Sequence, residues 1–212
     1  MNKAEKIITL IFGKRGSGKT LLAQRRCQDR KRLLIYDSIG EYTNGVVIED
    51  LQALKEFWVK VYRGNFKIIY QPIDPEGDFD TLCRLVYECE DLTFLVEELD
   101  RYSKPLTLSQ PFKEIIQRGR HIKYNIELIG VTQRPHGVDK LLTSQAKQMY
   151  IFNTTEPRDV DYFKDTIGYP VVVKIAALQE FEYVKYQDGS DQLEVGKETI
   201  RKWDDLSESP DE

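Results

Sequence analysis

A chain of 212 residues, 41% hydrophobic and 31% charged, has the size and composition of one folded domain and is too apolar to remain disordered. Its net charge of −4 excludes a protein that coats nucleic acid with a globally basic surface, though not one with a local basic patch. No stretch approaches the ~20 consecutive apolar residues of a membrane span, so no transmembrane segment is expected.

Along the chain, short apolar runs alternate with helical patterns. Residues 6–12 read as a strand, 18–29 as a helix and 33–36 as a second strand. Residues 46–48 form a short strand, 51–61 a helix and 66–70 another strand; 79–90 is a helix and 93–96 a strand. A polar, proline-containing loop over 100–111 precedes a helix at 112–118 and a strand at 126–131. Residues 149–152 are strand-like and 160–167 helical. The alternating segment 180–186 meets Asp188-Gly189, a hairpin signal. Apolar strands separated by helical crossovers require a mainly parallel sheet covered on both faces, here with a small C-terminal β-hairpin. Residues 1–201 are expected to form one domain, and 202–212 an acidic tail that frays. Cys27, Cys83 and Cys89 are odd in number and lack metal-ligand spacing, and no signal peptide precedes them, which predicts a reducing, cytoplasmic setting. His121 and His136 make no zinc site with them, so magnesium is the expected metal.

The chemistry concentrates in three places. Gly13-Lys14-Arg15-Gly16-Ser17-Gly18-Lys19-Thr20 matches G-x-x-x-x-G-K-[ST], between an apolar strand and a helix. Its glycines let successive N–H groups curl around phosphate, Lys19 reaches the β- and γ-phosphates of ATP, and the Thr20 hydroxyl ligates magnesium. The run Leu92 to Val96 then ends in Glu97-Glu98, which a buried strand delivers to the edge where phosphates lie. Glu97 is assigned to the magnesium shell and Glu98 to the attacking water, with Asp100 a weaker alternative carboxylate. The usual first acid is Asp, so Glu97 is a departure that would alter metal geometry or slow turnover. The strand at 126–131 leads into Thr132-Gln133-Arg134-Pro135, and Gln133 fits a sensor of the γ-phosphate.

These residues resemble the HerA/FtsK group of ring-forming P-loop ATPases. The resemblance lies in Val131-Thr132-Gln133-Arg134-Pro135, in Asp37-Ser38-Ile39-Gly40-Glu41-Tyr42 after the second strand, and in Phe94 to Glu98 between them, over residues 6–155. It implies a RecA-like core, a homo-oligomeric ring, commonly a hexamer, and ATP-driven movement of DNA, double-stranded and without sequence preference. It also implies an arginine supplied by the neighbouring subunit, for which Arg118 and Arg120 are the candidates. The chain begins a few residues before its first strand, which leaves no room for the barrel of cellular HerA. A minimal core of this size looks more like the genome-packaging ATPases of viruses, with capsid or membrane-vertex proteins as further partners and the host cytoplasm or virion as its location. DNA contact is expected from two basic groups, Arg25, Arg26, Arg30, Lys31 and Arg32 and then Arg118, Arg120 and Lys123, or from the loop 102–111 with Lys104. Two other readings stay open: an ATP-dependent assembly factor with slow turnover, and a small-molecule kinase.

Overall fold

The computed structural model describes residues 6–190 and 192–199, so the predicted acidic tail lies outside the described residues. The elements in chain order are β1 (Ile8–Phe12), α1 (Lys19–Cys27), β2 (Arg32–Tyr36), β3 (Val46–Ile48), α2 (Leu51–Val61) and β4 (Phe66–Tyr70). They continue with α3 (Phe79–Cys89), β5 (Thr93–Val96), α4 (Gln110–Arg118), β6 (Glu127–Thr132), α5 (Lys140–Gln145), β7 (Ala146–Phe152), α6 (Pro157–Thr166), α7 (Tyr169–Ala177), β8 (Glu182–Gln187) and β9 (Glu194–Lys197).

Among the described residues the strands form one sheet in the order β3-β4-β2-β5-β6-β1-β7-β8-β9. Pairings from β3 through β7 are parallel, and β7–β8 and β8–β9 are antiparallel. The uninterrupted apolar runs follow from this: β1 and β5 are buried along their whole length, so neither face tolerates a charge. Alternate residues separate into two cores. Leu10, Phe12, Leu34 and Tyr36 face a large core built with α2 to α7, while Ile11, Leu33 and Ile35 face a smaller one covered by Leu22, Ala23 and Cys27 of α1. Both faces carry helices as expected, but very unequally.

Three differences from the sequence reading have local causes. α1 stops at Cys27, two residues before the predicted end. α5 had no clear periodic signal; it starts where the Asp139 side chain accepts a hydrogen bond from Leu141 N (2.8 Å). α7 has the Val-rich sequence YPVVVKIAA, which β-propensity opposes; Pro170 in its first turn and the burial of Val171 and Ile175 make it a helix. The hairpin is present as β8 and β9, the last two strands at one end of the sheet, with a turn in which Ser190 N donates to Gln187 O (3.0 Å).

Candidate nucleotide site

Because β1, β2, β5 and β6 are parallel neighbours, the segments leaving their C-terminal ends gather at one edge of the sheet. The loop after β1 needs its glycines. Gly16 and Gly18 have φ of 75° and 102°, in the left-handed region, and a Cβ on Gly13 would stand 2.7 Å from both Phe152 Cβ and Ser17 Oγ. α1 begins at Lys19 with no side-chain cap and no acid in its first turn, so its first N–H groups stay available to an anion. Lys19 is buried and Nζ donates to Lys14 O (2.8 Å), which folds it back over the loop. Its burial lowers the ammonium pKa, partly offset by the carboxylates of Glu97 and Glu41.

The segment after β2 supplies residues that the sequence reading had left without a role. Asp37 is buried; Oδ1 accepts from Gly40 N (2.9 Å) and Glu41 N (3.1 Å), and Oδ2 accepts from Tyr42 N (3.0 Å) and Gln71 Nε2 (3.0 Å). This folds the chain into a tight turn, with Gly40 at φ 75°. The turn carries Glu41 to the loop after β1, where Thr20 Oγ1 donates to Glu41 Oε2 (2.5 Å), and carries Tyr42 inward, where its hydroxyl donates to Glu97 Oε1 (2.6 Å).

Glu97 and Glu98 follow β5, and their environments differ sharply. Glu97 is 3% exposed, and burial, first of all, raises its pKa to about 7. The Tyr42 hydrogen bond and Lys19 oppose that rise, while Glu41 and Asp37 add to it. Glu98 sits at φ 47°, ψ 45°, a left-handed conformation unusual for a residue with a side chain, and is partly exposed with Oε2 on Arg101 Nη1 (3.0 Å). At the end of β6, Thr132 Oγ1 donates to Asp100 Oδ1 (2.5 Å) and accepts from Arg134 N (3.0 Å), so Asp100 ties the exit of β6 to the acidic corner.

These groups surround a cleft of about 490 Å³. Arg15, Gly16, Gly18, Lys19, Thr20, Glu97, Glu98 and Gln133 all line it, joined by Glu41 and Phe181. Gly13, Lys14 and Ser17 complete the loop at its base. Among the described residues no cluster of three or more His, Cys, Asp or Glu forms a metal cage. A divalent cation would therefore rely on Thr20 and one or two carboxylates together with phosphate oxygens and water, the usual manner of magnesium. The donors present, all oxygens, fit that ion.

The other predicted residues lie elsewhere. Arg118 ends α4 and pairs with Glu114 (3.1 Å), and Arg120 is two residues on, beside the turn in which Ile126 N donates to Gly119 O. Both stand near the start of β6, at the sheet edge opposite the cleft, so neither reaches its own chain's site. In the first basic group two of the arginines are neutralised by ion pairs, two bond neutral groups, and Lys31 is exposed. Arg25 pairs with Glu198 (2.8 Å), Arg30 with Glu127 (2.7 Å), Arg26 bonds Tyr150 Oη (2.6 Å) and Arg32 bonds Asp91 O (2.7 Å). Lys104 is exposed in the loop after β5, which is held by Asp139 Oδ2 accepting from Leu106 N (2.9 Å).

The chain has the RecA-like P-loop NTPase fold, in which one strand, β6, lies between the P-loop strand β1 and the acid-bearing strand β5. Neither a protein-family model nor a curated protein matches the sequence. Solved structures do match. The genome packaging NTPase B204 from Sulfolobus turreted icosahedral virus 2, in complex with ATP-gammaS, superposes with a TM-score of 0.76 at 18% identity, over 93% of this chain and 98% of that one. VirB4 of Thermoanaerobacter pseudethanolicus gives 0.61 at 13% identity over 92% and 90%. The N-terminal domain of zonular occludens toxin from Neisseria meningitidis gives 0.55 at 14% over 94% and 96%. At these identities the likeness establishes the fold.

Proposed function

We propose that the chain is an ATP-hydrolysing motor that moves double-stranded DNA, of the genome-packaging kind, working as a homo-oligomeric ring. One observation carries the reading: the P-loop, the acids after β5 and Gln133 after β6 line one cleft, in a fold that superposes on the packaging NTPase over 93% of the chain. Lys19 and the N–H groups of the loop would hold the triphosphate, and Thr20 with Glu97 and Glu41 would hold magnesium. That ion supplies neutralisation of the charge on the β- and γ-phosphate oxygens. Glu98, the less buried acid of the pair, takes the proton of the attacking water as the bond to the leaving ADP oxygen breaks. Gln133 reports the γ-phosphate to the β6 exit that Asp100 anchors. Arg118 or Arg120, remote from its own cleft, would complete a neighbour's. Among the described residues no helix is long and apolar enough to cross a membrane.

The raised pKa of Glu97 and the Arg101 partner of Glu98 favour a second reading, an ATP-dependent assembly factor with slow turnover. Displacement of a triplex-forming strand from duplex DNA separates the two. A motor strips the third strand in the presence of Mg-ATP, and Lys19→Ala does not. ATP turnover without any displacement would contradict translocation.

A further inference from the structure

A second hollow, of about 370 Å³, abuts the P-loop on its β7 side. It is bounded by the loop residues Lys14 to Ser17, by Asn153 after β7, and by the turn 178–182 between α7 and β8. Arg15, Gly16 and Phe181 line both this hollow and the phosphate cleft, so the two spaces meet along the Phe181 ring. A molecule with its phosphates on Lys19 therefore has a neighbouring space, on the side away from Glu97 and Gln133, for the rest of its structure. We propose that this hollow holds the nucleoside of the triphosphate and that Phe181 is the platform on which its base stacks. The proposal rests on the nucleotide-binding reading above.

Phe181 is built into that position. Its backbone has φ 61°, a conformation side chains rarely adopt, and its ring lies so close to the P-loop that a Cβ on Gly18 would stand 3.2 Å from Cδ1. Glycine at position 18 thus serves the backbone turn and also leaves room for the ring. The carbonyl of Phe181 accepts from Glu198 N (2.9 Å), and the buried Glu198 carboxylate pairs with Arg25 of α1 (2.8 Å). The end of β9 is in this way tied to the P-loop helix, with Phe181 held between them.

The same surroundings set specificity. Asn153 Nδ2 donates to Leu178 O (2.9 Å), Gln179 Nε2 to Ala177 O (3.4 Å), and Glu182 Oε2 accepts from Gln179 N (2.9 Å). These side chains shape the turn 178–182, which leaves the aromatic face as the main recognition element. Every base offers a π-face to such a ring, so stacking binds without selecting strongly among bases.

Equilibrium binding by the full chain in magnesium buffer, with ATP, GTP and inorganic tripolyphosphate as probes, tests this. The wild type is expected to bind ATP and GTP alike. Phe181→Ala should weaken both nucleotides by about 5- to 150-fold, the range of one base–aromatic stack, and leave tripolyphosphate unchanged. Phe181→Trp should restore nucleotide affinity. Unchanged ATP affinity in Phe181→Ala, or equal losses for ATP and tripolyphosphate, would overturn the stacking role. Wild-type protein that binds neither ATP nor tripolyphosphate would instead overturn the nucleotide-binding reading, and this proposal with it.

Discussion

Glu97→Gln probes the balance between stability and chemistry in the cleft. Glu97 is 3% exposed, and its carboxyl pKa rises from 4.5 to about 7. The unfolded chain releases this proton near pH 4.5, whereas the folded protein keeps it until about pH 7. The favourable contribution is therefore fully present below pH 4.5 and is lost as pH rises to 7 and beyond. At 1.36 kcal/mol for each pKa unit, the loss above pH 8 is about 3 kcal/mol. Glutamine has the shape of the protonated acid, and its Oε1 can still accept from the Tyr42 hydroxyl, so it escapes that loss. Urea unfolding of the wild type and Glu97→Gln, without magnesium or nucleotide, should show the variant more stable at pH 8.5 by about 3 kcal/mol. The gap should narrow as pH falls towards 5, while ATP hydrolysis by the variant is lost at every pH. A variant less stable than the wild type at pH 8.5, or a gap independent of pH, would refute the reasoning.

Four further outcomes follow from particular contacts. Asp37→Ala strands the N–H groups of Gly40, Glu41 and Tyr42 and should cost roughly 3 kcal/mol or more in chemical unfolding, with slower hydrolysis as Glu41 and Tyr42 lose their places. Glu98→Gln should keep ATP affinity in filter binding and lower steady-state turnover by about 10²- to 10⁴-fold; normal turnover would remove Glu98 as the base. Asp100→Ala releases the Thr132 hydroxyl, which orients the Gln133 segment, and should lower the turnover number about tenfold; ATP affinity should hold, because the Thr132 carbonyl still accepts from Gly13 N of the P-loop (3.3 Å). Arg118→Ala should leave the melting temperature unaltered. An arginine supplied by a neighbour predicts that either it or Arg120→Ala lowers hydrolysis about 10³-fold or more, and full rates in both would dismiss the pair.

What was legible in the sequence is what local chemistry dictates. The P-loop shows because left-handed backbone at Gly16 and Gly18 and the crowding at Gly13 admit little else. The parallel strands show because burial on both faces leaves unbroken apolar runs, as in the four residues of β5. α7 escaped because its valines favour a strand, and only packing of Val171 and Ile175 overrides them. Glu41 and Tyr42 were seen as a motif, yet their placement on Thr20 and Glu97 depends on β2 lying beside β5 and on Asp37 turning the chain back. The ion pairs of Arg25 and Arg30 gave no sequence signal because their partners, Glu198 and Glu127, are distant in sequence. Phe181 gave no signal at all; its position follows from the hairpin folding back on the P-loop.

The most direct test of a DNA-driven motor is steady-state ATP hydrolysis with magnesium, measured with and without double-stranded DNA, beside Lys19→Ala. A motor predicts hydrolysis that DNA accelerates, that salt suppresses through weakened phosphate contacts, and that Lys19→Ala lacks. Hydrolysis indifferent to DNA at every salt concentration, or retained in Lys19→Ala, would contradict it.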